Sequence, residues 1–218
     1  MKPLIKVILI IAAFFASTFL LLKSTGMLTV DQIEGWLMQA KELSPLYVGS
    51  LVALLLFADL FIAVPTLTVA ILSGFFLGHV NGTIAALTGL TLAGVCGYVI
   101  SGYYGNGILR SLLKNENERK ETIQTFQKHG FVMILLSRAM PILPEVSACL
   151  SGITRMPFAK FMIAWMISSV PYALIASYAG SISSIENPKP AIFVAIGISS
   201  LLWISWYVYH RLRIRTTS

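Results

Sequence analysis

Long apolar stretches alternate with shorter polar ones along this chain. The first apolar run, Val7–Leu22, follows Lys2 and Lys6. Extended back to Leu4, with Lys6 reaching toward the headgroups, it is long enough to span a bilayer. It resembles a signal-peptide core, but no A-x-A site follows, and it reads as a retained first transmembrane helix over 4–22. Residues 23–44 are polar and mixed, and Thr29 with Gln32 forms a capping box that would start a short surface helix. Pro45–Leu77 is apolar but interrupted at Val64-Pro65, and Gly82–Tyr104 reads as a spanning helix. Asn106–Gly130 is the longest polar stretch, a loop with an amphipathic start at Ile108, Leu109, Leu112 and Leu113. Phe131–Leu150 is apolar and broken by two prolines, Pro157–Ala179 spans, and Ser181–Pro190 is a short loop. A last spanning segment, 191–209, precedes Arg211, Arg213 and Arg215.

Composition agrees with this pattern. The 218 residues are 56% hydrophobic and 11% charged, against about 25% charged in soluble domains. The net charge of +7 gathers at segment ends without aromatic interleaving, which signals orientation and no nucleic-acid partner. Basic residues mark the N-terminus, the 106–130 stretch, the Arg155/Lys160 region and the C-terminal tail. All four lie in the cytoplasm under one arrangement only. In it, 45–77 dips into the membrane from outside and returns, and 131–152 dips in from inside. The expected fold is therefore all-α: a single membrane domain, 1–218, in the plasma (inner) membrane with both termini cytoplasmic. Its core, 45–180, is an inverted repeat of a re-entrant helical hairpin plus a transmembrane helix, flanked by N- and C-terminal transmembrane helices. Pro65…Ser73-Gly74 matches Pro144…Ser151-Gly152, and Ser101-Gly-Tyr-Tyr-Gly105 matches Ala176-Ser-Tyr-Ala-Gly180. Inverted repeats with interrupted helices are a transporter architecture.

Small residues recur every fourth place at Ala85, Gly89, Ala93, Gly97, Ser101 and Gly105, after Gly74-x-x-x-Gly78-x-x-x-Gly82. Such a ridge lets helix backbones approach closely in lipid. It predicts a central helix with a re-entrant arm pressed on it, or alternatively a homodimer seam.

The charges inside the apolar segments carry the chemistry. Asp59 lies six residues before Pro65, and Arg138 six before Pro144. Each charge costs roughly 2.5–3.5 kcal/mol at the centre of an inserted helix unless paired or hydrated. Pro65 and Pro144 each suit the first position of a second half-helix, whose free amides favour an anion. Arg138 adds a planar fork suited to phosphate or carboxylate. Asp59 and Arg138 are expected to form an ion pair across the pseudo-two-fold axis, alone or with a substrate or proton function. Glu145 either complements a half-helix N-terminus or is a protonatable group in a dry cavity. Arg155 is expected to snorkel to the interface. Cys96 and Cys149 lie in apolar segments, and His79, His129 and His210 near segment ends; none has metal-ligand spacing, so no metal and no cofactor is expected. No nucleophile–base set or P-loop is present, which argues against an enzyme.

Arg138-Ala-Met-Pro141-Ile-Leu-Pro144, followed by Gly152-Ile-Thr-Arg-Met-Pro-Phe-Ala-Lys-Phe161, resembles the second-half signature of the DedA/VTT superfamily, also called SNARE-associated Golgi proteins. Gly74-Phe-Phe-Leu-Gly78-x-x-x-Gly82 resembles its first-half hallmark. The resemblance covers roughly Pro45 to Gly180. It implies two re-entrant hairpins in inverted halves and movement of lipid between leaflets, scramblase- or flippase-like. Bacterial members are associated with undecaprenyl phosphate and with proton-dependent membrane homeostasis. Arg138 matches the pattern arginine, and Pro141 and Gly152 match hairpin positions. Pro144 stands where DedA members proper carry a second arginine, and Thr66 where they carry a glutamate. The chain is closer to the branch named for yeast Golgi-vesicle Tvp proteins. The expected function is transport of a phospholipid or polyprenyl phosphate, with Arg138, Asp59 and Glu145 as the substrate and proton residues. Pro65, Pro141, Pro144, Gly74 and Gly152 would shape the hairpins. The alternatives are a small-ion or solute transporter on the same fold and a non-catalytic membrane-assembly protein.

Overall fold

A computed structural model describes residues 2–25, 30–62, 64–139 and 142–183, with scattered positions between 189 and 204. Pro141, Thr29, most of the predicted last helix and its basic tail lie outside the described residues. Among those described, all regular structure is helical: α1 (Lys2–Thr25), α2 (Val30–Leu43), α3 (Pro45–Ala58), α4 (Thr66–Leu112), α5 (Glu116–Leu136), a 3-10 turn (Ser137–Ala139), α6 (Leu143–Ile153) and α7 (Phe158–Ser181).

Local chemistry explains the boundaries. Ser44 caps α3 by accepting from the Tyr47 N–H at 3.2 Å, and Pro45 occupies its first turn. α3 is apolar all round: Val48, Val52, Leu55 and Leu56 are buried while Leu46 and Leu54 face outward. That is the pattern of a helix between protein and lipid. α4 is not one rod. Gly78 sits at φ 76°, ψ 170°, a conformation that glycine reaches without a Cβ penalty. The Ser73 hydroxyl donates to the Gly82 carbonyl at 3.1 Å. Nine residues of straight helix would separate the two by about 13.5 Å. The chain therefore reverses at Gly78, and the arm before it packs back along the helix after it.

The stretch 106–130, expected to be a loop, is helical. α4 runs on to Leu112, and α5 begins at Glu116. Leu109 and Leu113 are buried with Leu4, Val7 and Phe126, which gives the polar helix ends an apolar face. Asn115 caps α5 by accepting from the Asn117 N–H at 2.9 Å. Arg119 Nη1 donates to the Leu113 and Lys114 carbonyls at 2.9 and 3.1 Å, closing the end of α4. Hydropathy alone does not register such caps. The proline positions also shift. Pro65 is the N-cap of α4 rather than its first residue, and Pro144 is the second residue of α6, behind Leu143. Ile142 takes up the turn before α6 with φ 76°.

Two hydrophobic cores result. One joins α1, α5, α6, the end of α4 and the first half of α7, through residues such as Val7, Phe126, Val146 and Trp165. The other joins α2, α3, the arm, the middle of α4 and the second half of α7, through Ile33, Leu56, Val69, Ala86 and Ala173. Glycine seats lock the halves together reciprocally. A Cβ on Gly74 would strike the Ser177 backbone, and one on Gly180 the Ile71 backbone. In the other half, a Cβ on Gly152 would strike Tyr98 and Ser101, and one on Gly105 would strike Ile153. The small-residue ridge is thus filled from within: Gly82 by Ser73 and Ser177, Gly89 by Ala53 and Leu56, Gly94 by Trp165 and Gly97 by Leu60. The close backbone approach that the ridge permits is thus made within the chain, as the first of the two expectations has it.

Thr66–Gly105 and Phe158–Ser181 are long and apolar enough to cross a membrane, and with the composition they mark a membrane protein. Pro45–Ala58 and Leu143–Ile153 are apolar but have only 14 and 11 residues. At 1.5 Å per residue they reach about 21 and 17 Å, short of a hydrocarbon core of about 30 Å.

Candidate functional site

Two interruptions face each other where the cores meet. In the first, Asp59 ends α3 and is 6% exposed. Its carboxylate accepts the Val64 N–H and the Thr66 hydroxyl, both at 2.8 Å. One side chain thereby closes the break between α3 and α4. Thr66, which replaces the glutamate of the resembling pattern, supplies the second donor.

In the second, Arg138 lies in the turn after α5. Its Nη2 donates to Ser169 Oγ at 2.9 Å. The guanidinium carbon sits 5.1 Å from the Trp165 ring centre and 5.2 Å from that of Tyr172, within cation–π range of both. Trp165 is itself fixed: its indole N–H donates to the Leu90 carbonyl at 3.2 Å, and its ring covers Gly94. Glu145 is in the first turn of α6 and borders the same small space as the Asp59 carboxyl.

Asp59, Arg138 and Glu145 line one closed cavity, with Leu56, Leu90, Ala148 and Trp165 among its walls. It offers about 10 Å³ to the centre of a water-sized sphere, about one water. The expected direct Asp59–Arg138 ion pair is not made: each side chain bonds elsewhere, and Arg138 acts on Asp59 only as a nearby charge. Near the half-helix starts expected to receive an anion stand the protein's own carboxyls: Asp59 accepts the Val64 N–H and the Thr66 hydroxyl beside the start of α4, and Glu145 is in the first turn of α6. Arg138 is the cationic group at the cavity.

The remaining sequence candidates have other surroundings. Gly74 and Gly152 meet helix backbones. Pro65 and Pro144 start the two inner helices. Among the described residues no group of three His, Cys, Asp or Glu could hold a metal. Sequence reasoning missed Thr66, Trp165, Ser169 and Tyr172. The last three recur on one face of α7 at spacings of four and three, a stripe that could have been found as the polar side of an apolar helix. A larger groove of about 420 Å³ opens between α3 and α4 at Gly49, Ala53, Leu77, Asn81 and Thr88. None of its lining residues is charged.

Comparison with known proteins gives the following. Residues 64–182 match the VTT domain. Undecaprenyl phosphate transporter A of Bacillus subtilis (strain 168) is 28% identical over 108 residues, 48% of this chain and 54% of that protein. The uncharacterized protein YqeD of the same organism is 26% identical over 152 residues, 69% of this chain and 73% of its own length. An uncharacterized membrane protein of Buchnera aphidicola subsp. Schizaphis graminum (strain Sg) is 29% identical over 133 residues, 55% of this chain and 51% of its length. The chain thus spans about half the length of the first and third of these relatives. No solved structure matches. The domain match covers Arg138, Glu145, Pro65, Gly74 and Gly152, covers more than half of the 218 residues, and leaves Asp59 just outside. The chain belongs to the VTT-domain family of DedA-type membrane proteins.

Proposed function

We propose that this protein is a transporter rather than an enzyme and moves a lipid with a phosphate headgroup between the leaflets of an inner membrane. One observation carries the reading. Two helix interruptions bring Arg138, Asp59 and Glu145 to a single buried cavity. Charges at membrane depth gather where something polar passes or is held.

In this reading α3 with the arm of α4, and α5 with α6, are re-entrant hairpins of an inverted repeat. α3 and α6 are too short to cross, and each inner helix seats on the spanning helix of the other half. Both termini are cytoplasmic, as the basic segments favour. Arg138 takes the phosphate. Asp59 and Glu145 compete for the space that the headgroup would fill. Two carboxyls lining so small a cavity repel one another unless one of them holds a proton. Arrival of a phosphate would therefore displace a proton or move Glu145, which links lipid passage to protons. The one-water cavity is a closed state, and the headgroup passes when the interruptions separate. A lipid phosphate is favoured by the fork of Arg138 and by the name of the Bacillus subtilis transporter, with polyprenyl phosphate and phospholipid as the two substrate forms.

Reconstitution tests this. Vesicles holding the purified protein should equilibrate a fluorescent phospholipid or a labelled polyprenyl phosphate between leaflets faster than empty vesicles. Folded protein that leaves both lipids at the empty-vesicle rate refutes the proposal.

A further inference from the structure

We propose that Trp165, Ser169 and Tyr172 are positioning residues that hold the Arg138 guanidinium against α7 in the closed state and set how readily a phosphate can take it. The inference rests on the lipid-phosphate reading and adds to it the partner from which Arg138 must be released.

Ser169 accepts one N–H of the fork at 2.9 Å, while Trp165 and Tyr172 each present a ring about 5 Å from its centre. A guanidinium is a weakly hydrated plane with five donors, so rings and a hydroxyl can satisfy it without a counter-ion. The seat is rigid at one end, because Trp165 is bonded to Leu90 and packed on Gly94. It is divided at the other. Pro171 stands inside α7 between Ser169 and Tyr172. Its missing N–H and bulky ring weaken the helix there, the usual cause of a bend. The division follows the cores. Phe161, Ala164 and Trp165 belong to the first, Ala173 and Ala176 to the second, with Tyr172 packed against the second. A change of bend at Pro171 moves Tyr172 relative to Trp165 and Ser169. Such a displacement would free the guanidinium as the cavity opens, and closing would gather it back.

The test uses the full chain in vesicles and in detergent. Ser169→Ala and Tyr172→Leu each remove one contact from the closed-state seat. Each should lower the half-saturating concentration of a short-chain lipid phosphate about three- to tenfold, with the maximal rate within about twofold. Ser169→Thr keeps a hydroxyl and should restore the wild-type value, which a packing role would not do. A variant that fails to fold is replaced by a spectroscopic reading on otherwise intact protein. With Trp36, Trp203 and Trp206 changed to Phe, the emission of Trp165 reports the cation above its ring. It should change when dihexanoyl phosphatidic acid is added, and Arg138→Gln should alter it and abolish the response. Wild-type protein that transports while Ser169→Ala and Tyr172→Leu keep the wild-type half-saturation overturns the inference and leaves the transport reading standing. Trp165 emission indifferent to Arg138→Gln overturns it even where no transport is seen.

Discussion

The two interruptions have the same spacing and opposite charges, yet they are built differently. Asp59 is satisfied within its own break, by Val64 and Thr66. Arg138 finds its partners on another helix, at Ser169, Trp165 and Tyr172. The cause is elementary. A helix start offers N–H donors and the positive end of the macrodipole. A carboxylate can accept all of that, whereas a guanidinium has only donors and can take nothing from it. The acid therefore stabilises its own hairpin, and the base must reach across and tie its hairpin to α7. Asp59 thus closes its own break while bordering the cavity, and Arg138 is held from α7.

The largest expected effect follows from that asymmetry. Arg138→Gln should cut lipid transport about a hundredfold, equivalent to about 2.7 kcal/mol at the barrier, with a moderate fall in melting temperature in detergent from the weakened contacts to Ser169, Trp165 and Tyr172. Arg138→Lys keeps the charge without the fork and should recover less than about a tenth of the wild-type rate. Asp59→Ala should act in the other direction, on stability. It strands the buried Val64 N–H, at a cost of about 1–3 kcal/mol read by thermal unfolding. The double variant Asp59→Arg/Arg138→Asp decides between two pictures of the site. A simple ion pair would be rescued by the exchange. Here an arginine at position 59 would face the Val64 N–H, a donor it cannot satisfy, so the double variant should transport no better than either single one. Recovery of transport would show that the two charges act as a pair.

Much of this arrangement was legible in the sequence because membrane depth leaves few solutions. A charge near a proline in an apolar run demands a break, and Gly74 and Gly82 demand close backbone approach; these stand where the spacing indicated, whereas Gly78 between them is the turn itself, with nothing near its Cβ position. The pairing of Asp59 with Arg138 was not legible, since opposite charges in matching positions suggest each other until the local donors are counted. Nor was the helix through 106–130. Its polar surface hides the buried stripe of Leu109, Leu113 and Phe126, and the caps at Asn115 and Arg119 are invisible to hydropathy. Trp165, Ser169 and Tyr172 escaped for the opposite reason: in an apolar helix they read as ordinary packing.

The reversal at Gly78 extends the comparison to the turns that follow the inner helices. The turn that follows α6 holds Arg155 at φ 52°, a side chain in the left-handed region. The first turn has Gly78 at φ 76°. Gly78→Ala should therefore cost about 1–3 kcal/mol through backbone strain alone, since φ 76° with ψ 170° is a region kept for glycine and nothing lies within 4 Å of the added Cβ. Arg155→Gly should gain a fraction of that, because a positive φ strains a side chain less severely there. Thermal unfolding of the two variants should move in opposite directions. A shift of the same sign in both would mean that the turns are not comparable.

The smallest effect is expected outside the membrane, where the same residue types interact under water. Glu116 and Lys120 bridge at 2.9 Å in the first turn of α5, both well exposed. The hydrogen bond and charge of Lys120 hold the Glu116 carboxyl below its ordinary range. A depressed carboxylate contributes stability above its unfolded pKa and loses it as pH falls through its folded one. Solvent and salt screen an exposed pair, so the contribution is slight. Glu116→Gln should lower the melting temperature only marginally at neutral pH. The difference from wild type should vanish as the pH falls below the carboxylate range, and added salt at neutral pH should erase it as well. A large, salt-insensitive loss would mean that α5 depends on this pair for its start, and that Asn115 and the buried face of the helix are not enough to hold it.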